Sequence, residues 1–228
     1  SYYYNEPAMS VVLERAPATL TLACAALLIS VVLGIPAGIV AAVKRNSVSD
    51  AVIRVLALLG QCMPAFWLGI MLIMLFAVKL GWMPTGGAED GLRSLILPAF
   101  TLGVFSAATI CRLLRSNLIE VLGKEYIDVA KAKGLPKSKI IGKHALKNAM
   151  SSIITILGMQ FASLLGGSVI TEQVFAWPGV GRLVIQSITT SDFAVVECIV
   201  FLMAVIFVVI NFIVDVLYCV INPRVRLQ

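Results

Sequence analysis

Long stretches without a charged residue alternate with polar connections along this chain of 228 residues. Five of them come close to, or exceed, the roughly 20 predominantly apolar residues that a helix needs to cross the hydrocarbon core of a bilayer. They are 18–43, 55–78, 94–111, 148–171 and 198–214. The last keeps its apolar pattern past Asp215 to Ile221, until Pro223. The pattern predicts five transmembrane helices. Within them Gly34-Ile35-Pro36-Ala37-Gly38 is a GxxxG that lets two helices approach closely, and Pro36 and Pro64 are expected to kink their helices. The span 148–171 is the least oily, and Ser152, Thr155, Gln160 and Ser163 are its candidates for lining a wet path. Asn211 and Asp215 lie four residues apart on one helix face, a spacing that suits interhelical hydrogen bonding.

Composition supports a bilayer as the solvent. Hydrophobic residues make up 60% of the chain, charged residues 13%, and mean hydropathy is +0.98, against about 25% charged in soluble domains. The net charge of +6 would suit a polyanion, but placement decides its meaning. If the loop 44–54, the segment 112–147 and the tail after 222 share one side, that side holds fourteen of the 18 Lys and Arg residues. Arg15, Lys79, Arg93 and Arg182 are left on the other. Positive charge collects in cytoplasmic loops, so the C-terminus is predicted inside and residue 1 outside, with membrane lipid and not nucleic acid as the surroundings. An outside start without an initiator Met leads to the expectation of a preceding helix, six in the full chain.

Motifs of chemistry are missing. No GxxxxGK[ST] occurs, and Gly142-Lys143 is followed by His144, so there is no phosphate-cradling loop. HExxH and GxSxG are absent too, and no catalytic residue or metal site is predicted. The five cysteines show no ligand spacing and are read as small core hydrophobes. Between the third and fourth spans, residues 117–133 hold good helix formers, Gly134 is placed to end a helix with φ > 0, and Pro136 to open another. Tyr126, Ile127 and Ala130 give the first helix a shape suited to a partner's groove. After the fourth span, Pro178 restricts φ and Gly179 and Gly181 permit a tight turn beneath Trp177, a side chain suited to the membrane interface.

The segment Asp128-Val129-Ala130, then Gly134, then His144 and Leu146 resembles the EAA loop of binding-protein-dependent ABC permeases. It departs from the pattern with Asp for Glu, Val for Ala, His for Ile and Lys147 for Pro. The form Ala-Lys-Ala-Lys-Gly followed by His-Ala-Leu-Lys-Asn is similar to the dipeptide, oligopeptide and nickel branch. Further resemblance lies in Pro17-Ala18-Thr19-Leu20, in Gly81-Trp82-Met83-Pro84, in the loop from Val169 to Arg182 with its Trp-Pro-Gly-x-Gly, and in the tail from Val214 to Arg224.

This resemblance implies an all-α integral membrane permease domain over 1–228 in a bacterial cytoplasmic membrane. Within it lie a cytoplasmic coupling loop at 120–147 and an external loop at 172–193. Tyr126, Asp128, Ala130, Ala132 and Gly134 are the implied ATPase-coupling residues, and Trp177, Pro178, Gly179 and Gly181 the external loop or gate. The implied partners are a second, homologous permease (a heterodimer), two ATP-binding subunits and an extracytoplasmic solute-binding protein. No cofactor is bound directly, because ATP and Mg are used by the ATPase subunits. The expected cargo is di- or oligopeptides, with nickel chelates or glutathione as alternatives. A gradient-driven secondary transporter is the rival class, and it would be expected to carry inverted repeats and midplane ionisable residues.

Overall fold

The computed structural model describes residues 1 and 3–221, with side chains described at all of these except 151, 152, 167, 215 and 217–221. The helices are α1 (Ala8–Val43), α2 (Val48–Cys62), α3 (Ala65–Leu72), α4 (Leu92–Leu122) and α5 (Glu125–Ala132). They continue as α6 (Lys137–Lys139), α7 (Leu146–Gly167), α8 (Val169–Val174), α9 (Val180–Thr189) and α10 (Phe193–Ile221). Two π-helical stretches, Ile73–Lys79 and Ile140–Ala145, prolong α3 and join α6 to α7.

Three of the five predicted spans are continuous helices, and the other two coincide with bent helix pairs. Helices α1, α4 and α10 are each long and apolar enough to cross a membrane. Of the bent pairs, each a broken span or a re-entrant loop, Val48–Cys62 with Ala65–Lys79 turns through 102°, and Lys137–Met150 with Ile153–Gly166 through 50°. The sharper bend follows from Pro64. Its ring excludes the α conformation at the residue before it, and Met63 and Pro64 are both extended, at ψ 128° and 133°. Pro36 behaves differently. It lies with Pro17 inside α1, which runs without a break.

Helix α4 is the centre of the bundle: 72% of its apolar window is buried, against 33% for α1 and 11% for α10. Glycine sets how closely α1 lies against it. A Cβ on Gly34 would stand 2.7 Å from the Ala107 carbonyl oxygen, one on Gly38 2.9 Å from that of Cys111, and one on Gly103 2.8 Å from that of Ala26. Contact positions rise together on both helices, so α1 and α4 run side by side in the same direction. The GxxxG is thus a backbone-to-backbone contact, as small residues at helix interfaces allow.

Three apolar clusters follow this axis. At the end where the basic loops gather, Ile110, Leu114, Leu118 and Val121 pack with Ile127, Ala130, Ala145 and Ile153. In the next, Leu22, Ala26, Ala99 and Leu102 meet Leu164, Leu165 and Trp177. The third gathers Val12, Val180, Leu183 and Val195 at the opposite end. Outward faces stay apolar, with Phe201 and Phe212 of α10 about two-thirds exposed. Of the cysteines expected in the core, Cys111 alone among those described is buried, Cys198 is half-buried and Cys24 and Cys62 face outward, where an apolar thiol is at ease in lipid; Cys219 lies outside the described side chains.

Gly34→Val is expected to force α1 off α4 and cost about 1–3 kcal/mol, the usual penalty of overpacking. Gly142→Ala, with nothing within 4 Å of its Cβ, is the matched control. Thermal unfolding of the two variants in detergent measures the difference.

Candidate functional site

At the basic end, α5 hangs beneath the bundle. The single helix predicted over 117–133 is interrupted: α4 stops at Leu122, the Gly123 N–H turns back to Glu120 O (3.2 Å), and Lys124 is extended at ψ 146°. Glu125 and Asp128 then stand in the first turn of α5, where the helix dipole favours acids. Its far end is a Schellman motif. Gly134 sits at φ 73°, its N–H donates to Lys131 O (2.9 Å), and the Leu135 N–H donates to Ala130 O (3.3 Å).

This short helix has two unlike faces. Ile127 is fully buried and Ala130 nearly so, both within the cluster formed by α4 and α7. Tyr126, Asp128, Val129 and Ala132 are exposed. Asp128 pairs with Lys131 at 2.7 Å, and the Tyr126 hydroxyl accepts a hydrogen bond from Asn148 Nδ2 at 2.8 Å. The structure therefore corrects the sequence reading in one respect. Ile127 and Ala130 anchor α5 to the bundle, and Val129, 54% exposed, takes their place on the outward surface. Helical spacing explains the change: residues three apart share the inward stripe.

At the opposite end the Trp-Pro-Gly-x-Gly segment is built over a buried carboxylate. Glu172 of α8 has no exposed surface. Its Oε1 accepts hydrogen bonds from Thr19 Oγ1 (2.8 Å) and Ser168 Oγ (2.9 Å), and its Oε2 from the Arg182 N–H (3.0 Å). Thr19 Oγ1 in turn accepts from the Val180 N–H (2.8 Å). The first turn of α9 has Gly179 as its N-cap and no side-chain cap of its own. Thr19 of α1 and Glu172 of α8 supply the acceptors instead, with the negative charge at the favourable end of the α9 dipole.

That arrangement revises the roles of the loop residues. Trp177 is not at an interface: it is 5% exposed, and its Nε1–H donates to Ala18 O at 2.9 Å, pinning the loop to α1. The left-handed residue of the turn is Ala176, at φ 50°, not a glycine. Gly179 is extended, and a Cβ there would overlap the Glu172 carboxyl. On Gly181 it would come within 2.6 Å of Val169 Cα. Both glycines are needed for space, and Pro178 bridges them to Trp177.

Sequence reasoning missed Glu172 and Thr19 as a pair, although each stands in a segment it singled out. It also missed Asp50, which is fully buried in the first turn of α2. Arg115 of α4 donates to it through Nε (2.7 Å) and Nη2 (2.8 Å), and the Asn46 N–H donates to Oδ2 (3.0 Å). The available signal was an acid three residues after the N-cap Ser47. Among the wet-path residues, Ser152 falls outside the described side chains, as does Asp215. Thr155 and Gln160 are half-buried and Ser163 is exposed. None of these three lines the cavities between α1, α2 and α4 or between α1, α7 and α10. Among the described residues no three His, Cys, Asp or Glu side chains come together as a metal site.

Residues 34–227 match the family described as the binding-protein-dependent transport system inner membrane component. The chain belongs to this family. It is 40% identical to the di/tripeptide transport system permease protein DppB of Pseudomonas aeruginosa, over 93% of this chain and 71% of that protein. It is 42% identical to the glutathione transport system permease protein GsiC of Escherichia coli K12, over 97% and 72% respectively. The fold matches a chain of the MetNI methionine ABC transporter, with TM-score 0.81 and 20% identity over 95% of this chain and 99% of that one. The protein is accordingly a multi-pass permease of an ABC importer, the membrane component and not the ATPase.

In this permease the Glu172 cluster is expected to hold α9 in place. Glu172→Ala leaves the Arg182 N–H without its acceptor and should lower stability by about 1–3 kcal/mol. Thr19→Val, which removes the shared hydroxyl, acts in the same direction. Thermal melting in detergent measures both, and protease sensitivity at 176–182 should rise in parallel.

Proposed function

We propose that this permease carries short peptides across the bacterial cytoplasmic membrane, receiving them from an extracytoplasmic binding protein. It works beside a second, homologous permease in a heterodimer while two ATP-binding subunits use ATP and Mg. Supporting the cargo class, relatives over 90% of the chain include one named for di/tripeptides and one for glutathione, itself a tripeptide. The distribution of Lys and Arg supports a cytoplasmic C-terminus, with the coupling loop 120–147 inside and the loop 172–193 outside.

The observation that carries the mechanism is the two-faced α5. A helix of eight residues is too short to be stable alone in water, yet here the Ile127 and Ala130 anchor and the Gly134 turn hold it rigidly at the bundle end. Its outward face of Tyr126, Asp128, Val129 and Ala132 docks in a groove of an ATPase subunit, and Gly134 lets the chain reverse behind it. Movement of that groove on nucleotide binding reaches α4 and α7 through the shared apolar cluster and shifts the permease between outward- and inward-open forms. On the outer side the loop from Trp177 to Gly181 moves as a unit with α1, because Trp177 and Thr19 tie it there. Thr155, Gln160 and Ser163 of α7 line the path once the sister subunit packs alongside.

A pull-down of the tagged permease from native membranes is expected to recover two ATPases, a sister permease and a binding protein, and liposomes holding that complex should take up dipeptides only with ATP. Recovery of the chain alone, with uptake indifferent to ATP, would overturn the assignment. Val129→Asp should reduce uptake about tenfold or more, as loss of a central docking contact does, while insertion and thermal stability stay unchanged. Asp128→Ala acts in the same direction with a smaller effect.

A further inference from the structure

We infer that the groove between α2 and α4 at the basic end binds the phosphate of an anionic phospholipid, with an acyl chain in the apolar furrow that continues from it. The groove is a cavity of about 210 Å³. Arg54 and Gln61 enter it from α2, and Arg112 and Arg115 from α4. Among the described residues a single carboxylate answers two of these three guanidinium groups. Asp50 takes Arg115 by two hydrogen bonds and Arg54 at 3.4 Å, while among the described residues Arg112 Nη1 donates to the neutral Gln61 Oε1, at 2.6 Å, and to no carboxylate. Three guanidinium groups against one carboxylate leave an excess of two positive charges beside an apolar wall, where an anion is strongly favoured.

What continues from the groove selects the anion. Ile53, Ala57, Ala108 and Cys111 also line a second cavity, of about 440 Å³, between α1, α2 and α4. That furrow has no charged residue in its lining and follows α2 as far as Met63, about 15 Å of helix from Ile53. A cationic head joined to an apolar channel matches a phospholipid in shape and polarity. Free phosphate would fill only the head.

Native mass spectrometry of the whole transporter, purified with its partner subunits and offered phosphatidylglycerol and phosphatidylcholine in equal amounts, tests the inference. The wild-type complex should retain phosphatidylglycerol in preference. The R54Q/R112Q variant, which leaves the Asp50–Arg115 pair intact, should lose it about tenfold or more, given the worth of each basic residue at a membrane surface. R54K/R112K keeps the charge and should retain the lipid. K44Q/R45Q removes two charges from the same end outside the groove and should retain it too. If R54Q/R112Q does not assemble, Arg54→Gln alone, 55% exposed, should show a loss of about fivefold. Equal retention of both lipids, unchanged retention by R54Q/R112Q, or inorganic phosphate displacing the lipid would overturn the proposal. So would an efficient disulfide between Ala57→Cys and a cysteine placed in the sister permease.

Discussion

The contact of α1 with α4 through Gly34, Gly38 and Gly103 is the constraint on which the remaining structure rests. Between helices in lipid there is little hydrophobic driving force, because the tails are as apolar as the side chains, and close packing takes its place. Two helices running in the same direction with touching backbones make a rigid axis. One end of α4 continues toward α5, and the other end of α1 presents Ala18 and Thr19 to the loop before α9. Both loops are thereby referred to one pair of helices.

The two loops solve the problem of unpaired helix ends in different ways. At the basic end, the C-terminal carbonyls of α5 are satisfied within the loop by the Schellman turn at Gly134. At the opposite end, the N–H groups of α9 are satisfied from outside, by residues of α1 and α8. A locally satisfied helix can change its neighbours without losing its own bonds, which suits a surface that engages a moving partner. A helix capped from elsewhere must travel with what caps it. The buried Glu172 accepts three hydrogen bonds and faces the positive end of a dipole, conditions under which a charge away from water is tolerated.

At the Asp50 site Arg54 of α2 and Arg115 of α4 converge on one carboxylate, and the Arg115 pair fastens α2 to α4. Beyond it α2 is free to turn at Pro64, and α3 leaves at a large angle. The bundle therefore combines one stiff pair, α1 with α4, and bent elements arranged around it. Rigid packing next to broken spans is the arrangement expected where a wet path opens and closes, since unwound backbone is tolerated only where protein or water can satisfy it.

Much of this was legible in the chain itself. Apolar run length located the five span candidates, two of which are bent helix pairs, and Gly134 marked the end of α5, because each depends on residues close together in sequence. The motifs around Asp128 and Trp177 also identified the family. Tertiary structure alone decided which side of α5 faces outward, that Trp177 is buried, and that Gly179 is required for space and not for turning. It alone paired Thr19 with Glu172, 153 residues apart, and Asp50 with Arg115, 65 apart. A buried polar group must find its partner wherever the packed helices bring one, and that meeting leaves no period or spacing in the sequence to read.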